Sequence, residues 1–388
     1  MYHYKETMDR LIRQEVESGR VMGASALVLQ RGRELYYNAF GLADRERETA
    51  MKRDTIIRLY SMSKPVTAAA VMILAERGDL DLWDPVSKFL PCFAGQKVWD
   101  AEKGEIPAVR EVTIYDLLNM TSGITYPDAA TEPGRRMGAL VERLVKAREK
   151  GERADTQDYM RGIASVPLVF QPGDRWMYGF SADVLGGVVE AVYGRSYGTF
   201  LRQELFDPLE MPDTGFFVPE DKRERFAQAY EWTGSSLIPH VGAHLGEYYK
   251  EDVAFESGGA GMVSTLDDYA HFASMLMQEG IYKGRRILGR KTVDFMARNH
   301  LTERQAQSLD WESLRGYGYG CLMRVLENGG AAGSNVTHGE FGWDGWTGNY
   351  MAIDRKEELV FLYFMQLCDA GTTPLVRKLR MVTYGALE

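Results

Sequence analysis

Ser61 and Lys64 stand at a spacing that could turn a serine hydroxyl into a nucleophile. They form the single Ser-x-x-Lys pattern of the chain, and the apolar run that follows predicts a buried helix over residues 66–75. Residues three apart on a helix share a face, so the lysine amine is expected beside the hydroxyl. An amine whose pKa is lowered by burial can accept the hydroxyl proton, and the N–H groups at a helix start favour negative charge. Taken alone, the pattern favours a simpler alternative, a capping serine and a solvated lysine.

A second candidate is Tyr178, which ends the segment 170–178 just before a helical pattern over residues 182–192. A buried phenol beside a lysine ammonium can be partly ionised, or can pass a proton to a leaving group. This is the acid and base work that acyl transfer requires. For an isolated tyrosine, simple packing is the better interpretation.

Glycines and large aromatic residues are interleaved over residues 338–348, directly before a strand pattern. Glycine lets the backbone approach a ligand closely, and aromatic rings supply an apolar wall. We therefore expect a substrate-binding loop here, the alternative being a tight turn with core aromatics. The residues predicted to contact substrate, in this loop and in two others, are His338, Trp343, Gly345, Trp346, Tyr126 and Phe180.

Two other patterns could carry chemistry and are disfavoured. Residues 194–198 match the Gly-x-Ser-x-Gly elbow of α/β-hydrolases, but that elbow needs a strand before its serine, and the pattern over 182–193 is helical. Gly194 is better interpreted as a helix C-cap and Ser196 as the N-cap of the next helix. A metal site built from one loop is also disfavoured, because no second histidine lies near its three members, His338, Glu340 and Asp344. We predict no metal and no cofactor.

The composition is that of a soluble globular protein and argues against several partners. A formal net charge of -9 over 388 residues lacks the basic excess that nucleic-acid binding requires. The longest aliphatic stretch is too short to cross a bilayer and no signal core is visible, so we expect a cytoplasmic protein without a membrane partner. Cys92, Cys321 and Cys368 are far apart and suit neither a disulfide framework nor a zinc spacing. The oligomeric state is not indicated.

Strand patterns at both ends of the chain flank a middle that is mostly helical. A helix over residues 4–17 and a hairpin over 24–40 come first, and the last elements are strands over 319–325, 350–354 and 358–366 and a helix over 373–385. This order predicts an α+β fold with one antiparallel sheet built from both chain ends and helices on its faces. Residues 1–80 and 316–388 are predicted to form the sheet domain. Residues 81–315 are predicted to form an inserted, mainly helical domain, with the active site between the two.

The chain resembles the class C β-lactamases, the D,D-peptidases and above all the family VIII carboxylesterases. Besides the Ser-x-x-Lys pattern, the likeness rests on segments in matching order, namely residues 113–118, 121–123, 172–178, 205–211 and 258–265. It implies the α/β sandwich of the β-lactamase and transpeptidase type. It also implies an acyl-enzyme on Ser61, with Lys64 as general base and Tyr178 completing a proton relay.

Two departures from the lactamase pattern point toward esters. The family's last motif falls on Trp343-Asp344-Gly345, so the usual lysine is missing there. With the Ser61 N–H as the first oxyanion donor, the N–H of Gly345 or Trp346 would be the second. Phe180 stands where lactamases carry an asparagine. The apolar replacements suit an apolar acyl or alcohol group better than a charged β-lactam.

The leading hypothesis is therefore a metal-free carboxylesterase that acts on a small-molecule ester. Acyl transfer to an alcohol or amine by the same mechanism, as in the related statin side-chain acyltransferases, is a second hypothesis. β-Lactamase or D-amino-acid peptidase activity is a third. A non-catalytic sensor that stably binds an acyl group is the alternative outside enzymes.

Overall fold

The computed structural model describes residues 3–241, 251 and 253–387, and its centre is an eight-stranded antiparallel sheet. The strands of the described residues, in chain order, are β1 Gly23–Gln30, β2 Arg33–Asp44, β3 Thr49–Ala50, β4 Ile57–Arg58, β5 Lys97–Asp100, β6 Gly104–Pro107, β7 Tyr230–Trp232, β8 Leu237–Pro239, β9 Val263–Ser264, β10 Ile281–Tyr282, β11 Arg285–Arg286, β12 Tyr317–Gly320, β13 Met323–Leu326, β14 Phe341–Gly342, β15 Tyr350–Asp354 and β16 Leu359–Met365. The large sheet runs β12-β13-β14-β15-β16-β1-β2-β3, and neighbouring strands pair antiparallel. All of its strands come from the two ends of the chain, which confirms the predicted α+β fold.

The α-helices lie before, between and after these strands. They are α1 Tyr4–Glu17, α2 Ser63–Arg77, α3 Ile114–Leu118, α4 Glu132–Glu149, α5 Thr156–Ala164, α6 Ser181–Tyr193, α7 Tyr197–Leu201, α8 Leu266–Met277, α9 Arg290–Met296, α10 Glu303–Ala306, α11 Gly329–Ala332 and α12 Pro374–Tyr384. Both bounds of the first predicted helix agree with α1. Within the part of the chain that the structure describes, no helix combines the length and the apolar character needed to cross a membrane.

Helices cover both faces of the sheet, which explains why β16 is buried at every position. Alternate residues of a strand point to opposite faces. Leu359 and Phe361 pack in a cluster that includes residues of α1 and α12, whereas Val360 and Leu362 pack in the cluster that includes residues of α2 and α8. Such a strand has no solvent face, so its sequence is a continuous apolar run rather than an alternation.

The candidate nucleophile lies where β4 passes through a short helical turn, Tyr60–Met62, into α2. β4 pairs with β9, and the Leu59 N–H donates to the Met262 carbonyl at 2.9 Å, so the chain ahead of the serine is fixed to a neighbouring segment. In α2 every residue from position 63 to 74 is buried, which accounts for its apolar pattern on all sides. The helix ends at Gly78, whose φ of 76° is the left-handed conformation of a C-cap.

One predicted strand was wrong. The segment 319–325 forms two strands, β12 and β13, that pair with each other across a tight turn at Cys321 and Leu322. Both turn residues have positive φ, 47° and 61°. Such hairpin turns are usually marked by asparagine or glycine, and neither is present here. The middle of the chain also holds more hairpins than predicted, β5–β6, β7–β8 and β10–β11, and its division into domains stays a prediction.

Candidate active site

Ser61 and Lys64 lie side by side at the start of α2. Lys64 Nζ is 3.1 Å from Ser61 Oγ, and the lysine side chain is completely buried. Ser61 is only partly buried. A ligand can therefore reach the hydroxyl while the amine behind it is shielded from water.

Three contacts hold the Lys64 amine in place. In addition to Ser61 Oγ, Nζ donates to the hydroxyl of Tyr126 at 3.1 Å and to the carbonyl of Gly259 at 2.9 Å. An ammonium group has three N–H donors, so all of them are matched. When the amine is neutral, its two N–H groups can stay on Tyr126 and Gly259, and its lone pair then points at Ser61 Oγ.

Burial sets the protonation of this amine. Removal from water lowers the pKa of Lys64 from its ordinary value of 10.5 to about 7, because the charged form loses its hydration. The carboxylates of Asp183 and Asp344 attract the ammonium and oppose this change. At neutral pH a large fraction of the amine can thus act as a base.

Tyr178 completes the constellation from the segment that precedes α6. Its hydroxyl accepts a hydrogen bond from Trp343 Nε1 at 3.1 Å and is hydrogen-bonded to Ser61. The Lys64 Nζ lies 4.5 Å from the centre of the phenol ring. Burial raises the pKa of Tyr178 well above its ordinary value, against the two hydrogen bonds, which lower it. The phenol is therefore protonated at neutral pH.

Asp183, in the first turn of α6, supports the lysine from behind and was missed in the sequence. This buried carboxylate accepts hydrogen bonds from the Ser257 hydroxyl and from the Gly259 N–H, the latter at 3.2 Å. Its other oxygen, Oδ2, has no hydrogen-bond partner among the described residues. Burial raises the pKa of Asp183, and the attraction of Lys64 opposes the increase. The available signal was an acidic residue inside an apolar helical pattern.

Gly259 is needed where the backbone meets the lysine. A Cβ atom at this position would lie 2.4 Å from Asp183 Oδ2 and 3.1 Å from the Tyr126 hydroxyl. Its carbonyl could not then stay on Lys64 without a shift of one of these groups. The glycine-rich match at residues 258–265 was therefore a site signal, although the sequence did not say which atom it serves.

The residues around the nucleophile are fixed by buried hydrogen bonds. Tyr269 donates to the Met62 carbonyl at 2.7 Å, and the Met262 N–H donates to Ser63 Oγ at 3.1 Å. Tyr60, directly before the nucleophile, has a φ of 47°, which is uncommon for a residue other than glycine. Strained backbone of this kind persists only where the surroundings hold it, and it is frequent at active sites.

The loop after β14 carries the two backbone N–H groups proposed as oxyanion donors, and one of them already donates a hydrogen bond within the loop. The Gly345 N–H donates to the Asn349 carbonyl at 2.8 Å, which closes a turn. This hydrogen bond engages the Gly345 N–H in the turn. Of the two predicted oxyanion donors, we therefore carry the Trp346 N–H forward as the prediction. The Trp346 ring packs edge-on against Tyr60, with 5.0 Å between ring centres.

Aromatic rings line the approach to the three central residues. Tyr126 packs edge-on against Phe180 at 4.5 Å and against Tyr178 at 5.5 Å between ring centres. Trp311, whose exposed fraction is 40%, lies 5.0 Å from the Tyr178 ring and was not predicted. Tyr126 also contacts the lysine directly, a role beyond the substrate contact predicted for it.

His338 does not belong to this constellation, contrary to the prediction. It is exposed, and its Nδ1 lies 3.2 Å from the Glu327 carbonyl. β13 and β14 run antiparallel with Val325 opposite Phe341, so residues before β14 lie at the end of this hairpin away from Trp343. The position in sequence was close to the site, but the strand direction takes the side chain away.

The other members of the disfavoured metal site also face different partners. Glu340 forms a buried ion pair with Arg380, and Asp344 accepts a hydrogen bond from Thr372 at 2.6 Å. The three side chains named in the sequence therefore do not converge on one ion.

The competing serine, Ser196, has the structural role that was predicted for it. α6 ends at Gly194, whose φ of 73° is left-handed, and Ser196 Oγ accepts the Thr199 N–H at the start of α7. The element directly before this serine is the helix α6 rather than a strand. It is a helix cap rather than a nucleophile elbow.

Comparisons with known proteins agree with this geometry. The beta-lactamase family profile matches residues 8–374. Esterase EstB from Burkholderia gladioli is 32% identical over 395 residues, which cover 97% of this chain and 94% of that protein. Protein Rv1367c from Mycobacterium tuberculosis is 32% identical over 368 residues, which cover 92% of this chain and 88% of that protein.

Solved structures show the same fold. EstCE1, described as a hydrolase with promiscuous acyltransferase activity, superposes with a TM-score of 0.82 at 25% identity and covers 98% of both chains. Simvastatin synthase (LovD) from Aspergillus terreus superposes with a TM-score of 0.81 at 22% identity and covers 99% of both chains. The resemblance predicted from the motifs is thus confirmed. The chain belongs to the beta-lactamase family of serine hydrolases.

Proposed function

We propose that this protein is a carboxylesterase of the family VIII type, which cleaves small-molecule esters through an acyl-enzyme on Ser61. The observation that carries the proposal is the contact of Ser61 Oγ with a buried amine whose pKa is close to neutral. A serine hydroxyl is a weak nucleophile until an adjacent base takes its proton. Lys64 is such a base, and its hydrogen bonds to Tyr126 and Gly259 direct its lone pair toward the hydroxyl.

The first half-reaction forms the acyl-enzyme. Neutral Lys64 accepts the Ser61 proton as Oγ attacks the carbonyl carbon of the ester, and the carbonyl oxygen becomes an oxyanion. The N–H groups of Ser61 and Trp346 are the donors proposed for this charge. As the bond to the alcohol breaks, the leaving oxygen takes a proton from Tyr178, and the Lys64 ammonium returns one to the phenolate.

The second half-reaction releases the acid. Water attacks the acyl carbon and gives its proton to Lys64, and Ser61 Oγ leaves and takes this proton back from the Lys64 ammonium. We assign the general base to Lys64 rather than Tyr178 because burial shifts the two pKa values in useful but opposite directions. The amine is basic yet partly neutral near pH 7, whereas the phenol stays protonated and can serve as an acid.

The walls of the site favour an apolar ester over a β-lactam. Trp343 is buried and donates to the catalytic phenol, so it offers no cation to a substrate carboxylate. Phe180 is also buried and packs on Tyr126. The side chains that would hold the acylamino group and the carboxylate of a penicillin are thus replaced by apolar rings.

Hydrolysis of a chain-length series of p-nitrophenyl esters, from acetate to octanoate, tests the proposal. Ser61→Ala is expected to lose at least about a thousandfold in kcat, because the nucleophile is removed. Ser196→Ala is the matched control and should keep wild-type activity. Activity that survives in Ser61→Ala, or that disappears in Ser196→Ala, contradicts the proposal.

Acyl transfer is the second candidate, favoured by the likeness to EstCE1, which is described as a hydrolase with promiscuous acyltransferase activity. In that case an alcohol replaces water in the second half-reaction at the same acyl-enzyme. Product analysis with ester and a competing alcohol separates the two functions. A predominance of the new ester at alcohol concentrations far below that of water would favour transfer, and a stable Ser61 adduct without turnover would favour an acyl sensor.

A further inference from the structure

A second group of reactive side chains lies outside the proposed ester site. Glu231, His240 and Cys368 each bring one donor atom within 4.8 Å of the other two. Carboxylate oxygen, imidazole nitrogen and thiolate sulfur are the three ligand types that zinc takes in proteins. Ligands on a tetrahedral zinc are roughly 3.3–3.8 Å apart, as its bond lengths require. The three donors are thus within a small side-chain adjustment of that spacing, in which Glu231 and His240, now in direct contact, must separate slightly.

The backbone holds these three residues around one strand. The Tyr230 N–H donates to the Gln366 carbonyl at 2.9 Å, and the Cys368 N–H donates to the Tyr230 carbonyl at 2.8 Å. The His240 N–H donates to the Ala229 carbonyl at 2.8 Å, beyond the end of the β7–β8 hairpin. Glu231, the next residue of β7, already hydrogen-bonds His240 Nδ1. The fold therefore holds the backbones of these three residues close together.

Charge also suits a divalent cation. One zinc ion is neutralised by the Glu231 carboxylate and the Cys368 thiolate, which removes the penalty of a buried net charge. Asp369 adds a further negative charge near the thiol, and Arg58 adds a positive one. Because the thiolate is the form that binds zinc, a metal must displace the thiol proton of Cys368 when it binds.

We propose that Glu231, His240 and Cys368 bind one zinc ion, with the fourth position open to water. On binding, Cys368 releases its thiol proton to solvent, and His240 coordinates through Nδ1 with its remaining proton on Nε2. Glu231 exchanges its hydrogen bond with the imidazole for a bond to the metal. The site is separate from the ester chemistry, which runs without a metal.

The site lies directly behind the loop that carries the proposed oxyanion donor. The His240 ring is 5.5 Å from the Trp346 ring, and Trp346 Nε1 donates to Asp369, the residue after the cysteine, at 2.5 Å. The Ala370 N–H donates to the Trp346 carbonyl at 3.1 Å. A metal on Cys368 and His240 would thus fix both segments that contact Trp346.

Metal titration of the intact 388-residue chain after EDTA treatment tests the proposal. We expect one equivalent of Zn²⁺ to bind, and Co²⁺ in its place to give a thiolate-to-cobalt charge-transfer band. Saturating Zn²⁺ should also raise Tm by about 2–5 °C, since the metal binds the folded chain preferentially. Cys368→Ser and His240→Gln should each weaken binding at least about tenfold and remove or reduce the cobalt band.

Matched controls are Cys92→Ser and His271→Gln, which change the same residue types elsewhere and should bind like wild type. If Cys368→Ser does not fold, Glu231→Gln replaces it, because this side chain is nearly half exposed. Ser61→Ala should bind zinc normally, so this test is independent of the proposed ester activity. The absence of a stoichiometric site in wild type, or undiminished binding in His240→Gln together with Cys368→Ser or Glu231→Gln, overturns the proposal.

Discussion

Replacing Asp183 by asparagine should lower the pKa of Lys64 by an amount that the pH dependence of the reaction can measure. The carboxylate attracts the Lys64 ammonium and raises the lysine pKa, whereas burial lowers it. Gly259 connects the two groups, since its carbonyl accepts from Lys64 at 2.9 Å and its N–H donates to Asp183 at 3.2 Å. Asparagine keeps an oxygen for these contacts and places an NH₂ where Asp183 Oδ2 has no hydrogen-bond partner among the described residues.

The size of the effect follows from Coulomb's law. Two unit charges on either side of one bridging peptide group, taken as roughly 7 Å apart, interact by roughly 2.4 kcal/mol in an effective dielectric of about 20, which is just under two pKa units. The Asp183 carboxylate is also hydrogen-bonded to Ser257 and Gly259, which disperses its charge, so we expect a smaller decrease of about one unit in the pKa of Lys64.

The assay is the pH dependence of kcat/KM for p-nitrophenyl butyrate, which reports ionisations of the free enzyme. In wild type the rate should rise with pH through about 7 as Lys64 loses its proton. In Asp183→Asn this rise should move about one unit lower. Asp268→Asn, a buried carboxylate away from the lysine, is the control and should leave the profile unchanged. An unmoved or upward-shifted limb in Asp183→Asn refutes the assignment of the limb to Lys64.

Three further results are expected. Tyr178→Phe should lower kcat by roughly 10²–10⁴ while KM changes little, because only the proton-transferring hydroxyl is removed; a normal kcat would exclude Tyr178 from the relay. Gly259→Ala should reduce kcat/KM by about tenfold or more, because its Cβ would lie 2.4 Å from Asp183 Oδ2. The control Gly215→Ala, which has open space around it, should keep wild-type kcat/KM. Equal kcat/KM in the two variants would show that glycine is not required at position 259. The folded-state pKa of Lys64 is depressed from 10.5 to about 7, so its contribution to stability is full above pH 10.5 and is lost as the pH falls to about 7. In urea unfolding, Lys64→Met should therefore gain stability relative to wild type by up to about 1.4 kcal/mol for each unit that the pH falls across that window. A stability difference that stays constant with pH would contradict the lowered pKa.

Local sequence patterns predicted many of the helices, strands and helix caps. α1 was predicted at both bounds because its apolar residues follow the helical period, and β15 was predicted at both bounds as an apolar strand. The caps at Gly194 and Ser196 were also predictable, since both residue types have a clear preference for helix ends. The turn at Cys321 was not, because its left-handed backbone is imposed by the surrounding sheet without a glycine or asparagine to mark it.

In the candidate site, too, local contacts could be predicted from the sequence and contacts between distant segments could not. Ser61 and Lys64 share one helical turn, so their contact follows from spacing, and the motif order added Tyr178. Contacts between distant segments could not be derived in this way. The Tyr126 hydroxyl reaches Lys64 only because the fold brings their segments together. His338 was misplaced for the converse reason, since closeness in sequence to Trp343 does not reveal the direction of the hairpin between them.

Detection of the acyl-enzyme tests the central claim most directly. The protein is mixed with p-nitrophenyl butyrate, the burst of nitrophenol is followed, and the quenched protein is digested for mass spectrometry. The account predicts a burst close to one equivalent and a butyryl group on Ser61, with neither seen in Ser61→Ala. A butyryl group on another residue, or full turnover in Ser61→Ala, would contradict it.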